Sequence, residues 1–84
     1  METRITQFIN QAKEFGLDPR DAQIANEYLL HREYGIAFDH VVNQLYEYDL
    51  KISAHFFEFM LDIAKKMELP LDGYLDIRSL IVDE

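Results

Sequence analysis

Ile5, Phe8, Ile9, Ala12 and Phe15 recur at the spacing of one helix face. Three further segments of this 84-residue chain repeat that signature before a glycine, a proline or a polar cap interrupts them. A helix shorter than about 15 residues is marginal in water by itself, so segments of this kind persist only by packing stripe against stripe. No segment shows sustained period-two alternation. The pattern predicts an all-α fold, a compact bundle of four to five short helices, with residues 1–84 forming one domain. The chain is 49% apolar. A domain of this size removes only about 60–65% of its unfolded surface from water, so nearly every large apolar residue has to enter the core.

Local chemistry sets the expected boundaries. Thr3 reads as an N-cap, Gly16 as the left-handed residue that closes helix one, and Leu17 as an apolar residue folding back over the last turn. Asp18-Pro19 reads as N-cap and first helical residue, and Asp21 adds negative charge near the positive end of the helix dipole. Helix two then turns Ala22, Ile24, Ala25, Tyr28 and Leu29 inward and frays near His31–Tyr34, with Gly35 as the break or as a kink. Helix three is expected from about Ile36 to Tyr48, burying Ala37, Phe38, Val41, Val42 and Leu45. Ser53 caps helix four, Ala54 to Met67, whose Phe56, Phe57, Met60, Ile63, Ala64 and Met67 place it at the centre of the domain; Pro70 enforces its stop. Gly73 marks a turn before a short fifth helix, although Leu80-Ile81-Val82 reads equally well as an extended end.

Most enzyme chemistries leave a trace that is missing here. There is no cysteine, hence no disulfide framework, thiolate nucleophile or thiolate metal site. Gly16, Gly35 and Gly73 lie too far apart to build a phosphate loop. Ser53 is accounted for as a cap. Glu27 with His31, and His55 with Glu58, have helical metal-ligand spacing, but neither has a second matching pair, and both read as solvated side-chain pairs. A core this small supplies no deep cleft to desolvate one of two paired carboxylates. The expectation is therefore a protein that is not an enzyme, with no catalytic residue, no cofactor and no metal. Apolar runs of three or four residues fall far short of the ~20 of a membrane span, and the N-terminus lacks the apolar core of a secretory signal. A cytoplasmic setting follows as an expectation. Sixteen acids against eight bases give a net charge of -8, which disfavours nucleic acid and anionic membrane as partners and favours a basic protein surface.

One stretch is richer than the rest. Residues 31–49 hold three of the five tyrosines and four carboxylates. Tyrosine combines large contact area with a polar tip and little entropy loss on fixing, and surrounding carboxylates steer and pair with Lys and Arg. Glu33, Tyr34, Asp39, Tyr46, Glu47 and Asp49 are the candidate partner-binding residues. The competing assignment makes Tyr34 and Tyr48 core-edge residues and moves the contact to His55, Glu58 and Asp62, or to the C-terminal acids Asp72, Asp76, Asp83 and Glu84.

The segments Glu33-Tyr34-Gly35-Ile36-Ala37-Phe38, Gln44-Leu45-Tyr46-Glu47-Tyr48-Asp49-Leu50-Lys51-Ile52-Ser53 and Ile63-Ala64-Lys65-Lys66-Met67-Glu68-Leu69 resemble the MafI-type immunity proteins, a group that shades into immunity proteins of contact-dependent growth inhibition. The resemblance covers residues 31–69, with His31-Arg32 standing where the family usually has glycine. It implies a bacterial cytoplasmic antitoxin that forms a heterodimer with the C-terminal domain of a polymorphic toxin, a nuclease and above all an RNase. In small folds such motifs often mark packing, and immunity proteins diversify where they touch their toxins, so these same residues also fit a scaffold role. A second class of function carries the same charge: an acidic regulatory adaptor, or a nucleic-acid mimic that titrates a basic partner.

Overall fold

Phe8 of the first helix lies flat against Phe56 of the fourth, with ring centroids 4.9 Å apart and an interplanar angle of 1°, and tilts against Phe38 of the third at 5.0 Å. Around these contacts the computed structural model, which describes residues 1–82, arranges α1 (Glu2–Glu14), α2 (Pro19–Leu30), α3 (Tyr34–Glu47), α4 (Ala54–Lys66) and a short α5 (Asp72–Leu75). A 3-10 helix, Asp76–Leu80, continues α5. The fold is thus a small all-α bundle; no named strand occurs among the described residues. No helix among them is long and apolar enough to cross a membrane.

The expected stripes are buried, with Phe15, Tyr28 and Met67 half-buried at their edges. Ile5, Phe8, Ile9 and Ala12 of α1, Ala37, Phe38, Val41 and Leu45 of α3, and Met60, Ile63 and Ala64 of α4 are shut off from solvent. The centre is shared between two helices. α4 supplies the broadest apolar face, whereas α3 packs on α1, on α2 and on the 3-10 helix. Ile24, expected inside, is 39% exposed, because α2 turns the narrower stripe of Ala22, Ala25 and Leu29 to the core.

Helix starts divide into two kinds. Asp18 accepts a 2.8 Å hydrogen bond from the Arg20 amide, and Ser53 accepts one of 3.0 Å from the Phe56 amide, as their caps require. Thr3 does not cap α1: the helix begins at Glu2 with Met1 in the cap position. Gly35 is no break either. It lies in the first turn of α3, and the chain reverses earlier, at Arg32.

All four long helices end in one motif, in which the residue beyond the cap takes positive φ and the next amide folds back to the last turn. The residues are Gly16 (φ 113°), Arg32 (60°), Asp49 (52°) and Glu68 (57°). The closing bonds run from the amides of Leu17, Glu33, Leu50 and Leu69 to the carbonyls of Ala12, Tyr28, Leu45 and Ala64, at 2.9–3.0 Å. Leu17, Leu50 and Leu69 thereby fold onto the core. Only one of the four turns carries glycine, and there it is needed twice over: a Cβ at Gly16 would meet Leu50 Cδ2 at 3.3 Å, at a φ that L side chains rarely adopt.

The tail holds both predicted conformations in succession. α5 and the 3-10 helix are followed by extended Ile81, which forms a parallel bridge with Ile52 through Ile52 N–H to Leu80 O (3.0 Å) and Val82 N–H to Ile52 O (2.9 Å). Buried Ile77 and Leu80 anchor this segment to the bundle.

Truncating Phe8 to alanine removes the ring shared by three helices. The expected cost is about 3–5 kcal/mol, a large part of the whole stability of a domain this size, read by urea unfolding followed by circular dichroism. Conversely, Glu68→Gly should stabilise by about 0.5–1 kcal/mol, since the left-handed cost of an L residue exceeds the entropy glycine loses on folding. Thermal melts check it, and Asp49→Gly should gain less because Asp tolerates this conformation better.

Candidate functional site

α3 sets the geometry of the predicted site. Thirteen residues separate Tyr34 from Glu47, about 20 Å along a helix, so the six candidate residues do not form one patch. Glu33 is exposed in the cap position of α3, and Tyr34 beside it is half-buried against the core. At the other end Tyr46 is 58% and Tyr48 61% exposed, while Leu45 between the same turns is fully buried. Glu47 is exposed, about 100° round the helix from Tyr46. Asp49 is the left-handed closing residue, and its carboxylate accepts bonds of 3.2 and 3.3 Å from Lys51 Nζ. Both partners of that pair are exposed, so it adds little stability.

Asp39 lies in mid-helix, seven residues before Tyr46 and thus on nearly the same line along the helix. It already has a partner within the fold: the phenol of Tyr74 donates a short hydrogen bond to Asp39 Oδ1. Tyr74 is buried, and its ring tilts against Phe38 with centroids 5.4 Å apart. Burial first, then the Asp39 carboxylate beside it, push the Tyr74 phenol well above its ordinary range. This contact ties α5 to the middle of α3.

The tie brings an acid from the far end of the chain, Asp76, to the exposed tyrosine. Tyr46, Val42 and Asn43 of α3 form one wall of a shallow groove, and Gly73, Asp76 and Ile77 form the other. Its volume, about 160 Å³, lies below the roughly 300–1,000 Å³ of small-molecule pockets, and suits one inserted side chain. Gly73 leaves its side of the groove open, because no atom stands within 4 Å of where its Cβ would be. Arg78, the nearest base in sequence to Asp76, is turned away over the Phe57 ring at 5.9 Å. The groove therefore joins Tyr46 from one predicted face to Asp76 from the other, while Asp39 acts on it only through its bond to Tyr74. Asp83 and Glu84 lie outside the described residues.

The third predicted face belongs to α4, where Asp62 is bound to Arg4, whose guanidinium also lies 5.4 Å from the centroid of the Phe59 ring. Glu58 and His55 are exposed. Glu27 and His31 are exposed as well, and no group of three His, Asp or Glu able to hold a metal ion occurs among the described residues.

Sequence reasoning missed a polar cluster between α2 and α3. Asp21 is only 7% exposed, and its Oδ1 accepts bonds from His40 Nε2 at 3.1 Å and Gln44 Nε2 at 3.0 Å. As the third residue of α2, Asp21 reads from sequence only as a charge favourable to the helix dipole. Its use as a cross-helix acceptor depends on the register of α2 against α3, which no local pattern carries. His40 and Gln44, four apart on one side of α3, were the available signal.

Comparison with protein-family models, curated proteins and solved structures returns no match to this chain.

The Tyr74–Asp39 contact has a signed pH consequence. An unfolded phenol ionises near its ordinary value of 10.0, whereas the folded one holds its proton to higher pH. Its contribution is therefore fully present below about pH 10 and is lost as the pH climbs from there towards the folded value. Tyr74→Phe should cost about 1–2 kcal/mol at neutral pH and flatten the alkaline decline of stability, measured by denaturant unfolding across pH 8–12.

Proposed function

We propose that this chain is a stoichiometric binding protein that neutralises a basic partner, an immunity protein for the toxin domain of a polymorphic toxin system. The exposed ring of Tyr46 beside the carboxylate-edged groove under α5 carries this reading. A tyrosine set in such a groove is suited to anchor a contact, and a net charge of -8 attracts a cationic surface from a distance. A nuclease toxin presents that kind of surface, because its substrate cleft must attract phosphate. The family resemblance supports the reading from a separate direction, since its motif runs through Tyr46, Glu47 and Tyr48.

In the proposed mechanism the acids of α3, α5 and the 3-10 helix steer the encounter. Tyr46 then packs against the partner while a Lys or Arg of the toxin enters the groove towards Asp76. Nothing is turned over. Inhibition lasts as long as the complex does, so affinity and residence time set protection.

The decisive experiment is co-purification with the product of the adjacent upstream gene, followed by binding kinetics. Association should slow severalfold between low and high salt, as steering requires. Combining Tyr46→Ala with Asp76→Lys should weaken binding by about 30-fold or more, equivalent to a hot-spot loss of about 2 kcal/mol. Circular dichroism serves as the control, since exposed substitutions should leave folding within about 0.5 kcal/mol. Unchanged affinity in the double variant would move the contact off this groove. Capture of a DNA-binding protein in place of a toxin would favour the adaptor reading.

A further inference from the structure

α1 and α2 are joined by only four residues, Phe15–Asp18, and so lie as antiparallel neighbours. An open groove follows their outer seam. Its acidic end carries Glu2 and Glu27, its basic end Lys13, and uncharged side chains such as Gln23 and Asn26 occupy the stretch between. Leu30, the last residue of α2, stands at the acidic end and is 82% exposed, the most exposed large apolar side chain among the described residues. The fold does not require it there, because Leu29 fills the core position and α2 is closed by the Arg32 turn.

We propose that this face pairs with a second copy of the chain about a two-fold axis across the groove, each Leu30 entering the groove of the other copy. Three observations select this occupant. The first is charge. Two chains of net -8 repel, and the α3–α5 side concentrates acids, whereas the α1–α2 seam balances two carboxylates against one ammonium. Copies therefore approach at lower cost here than through the α3–α5 side. The second is polarity. A two-fold axis lays the Glu2–Glu27 end of one copy over the Lys13 end of the other, so the face is complementary to itself, as an isologous contact demands. The third is chemistry between the ends, where amide side chains both donate and accept and can therefore pair with their own copies. Two helices of about 20 Å side by side give a footprint at the small end of specific interfaces, so the dimer is weak and reversible. The groove beside Tyr46 lies on other elements and stays available to a different partner.

Sedimentation velocity from micromolar to millimolar protein tests the proposal. The weight-average mass should rise from 10.0 kDa towards twice that value as concentration increases. Leu30→Asp should move the midpoint to at least about tenfold higher concentration without loss of helicity. Lys13→Glu should weaken pairing similarly, and adding Glu27→Lys to it should restore pairing, because opposite ends exchange sign together. Tyr46→Ala should leave the midpoint unchanged. A monomer at every concentration overturns the proposal, as does association indifferent to Leu30→Asp. Capture of a foreign helix in the groove by a chain that never self-associates overturns it too.

Discussion

The bundle depends on one ring. Phe8 stacks on Phe56, tilts on Phe38 and meets Phe59 edge-on, so a single side chain of α1 holds α3 and α4 in place. Aromatic pairs at these separations add roughly 0.5–1.5 kcal/mol beyond their area, and a small core has few other sources of specificity. The chain of contacts continues outward. Phe15 packs on Phe56, Phe38 packs on Tyr74, and Tyr74 ends in a hydrogen bond to Asp39 at the surface. What begins as core packing thus fixes where α5 lies, and α5 supplies one wall of the candidate groove.

Polar groups divide into those the fold uses and those it leaves free. Asp21 is consumed by His40 and Gln44, Asp39 by Tyr74, and Asp62 by Arg4. Each of these bonds ties two elements together, and those of Asp39 and Asp62 withdraw part of a carboxylate from the face it was expected to serve. Asp39 is the clearest instance: chosen as a partner-binding residue, it carries a structural bond, and its placement matters to the site because it holds Tyr74 and the following Asp76 beside Tyr46. The residues that support the family resemblance divide the same way. Ala37, Phe38, Leu45, Ile63 and Ala64 are buried and Ser53 is a cap, whereas Tyr46 and Tyr48 are exposed. The buried part of that motif describes a scaffold, and Tyr46 and Tyr48, with exposed charged residues such as Glu47 and Asp49, are the part available for contact.

The helices were legible because their signals are local. Apolar spacing at 3.6 residues, the Ser53 and Asp18 caps and the Gly16 closure each involve residues within one or two turns, and each appears where its chemistry placed it. Failures came where a neighbour from elsewhere overrode a local preference. Gly35 looked like a break, yet the left-handed turn sits at Arg32, because the returning Glu33 amide and the docking of α3 on α2 set the reversal. Ile24 looked like core, yet α2 meets its neighbours along its small alanines.

Residue order and charge alone therefore determined the class of fold, the approximate placement of the four long helices, the acidic balance and the presence of an exposed tyrosine on α3. Only tertiary structure decided which carboxylates stay free, that Tyr46 faces Asp76 across a groove, and that Leu30 projects beside a seam with little net charge. The physical reason is range. Backbone capping and apolar periodicity act over a few residues, whereas the company a surface side chain keeps depends on how distant helices rotate to bury their stripes.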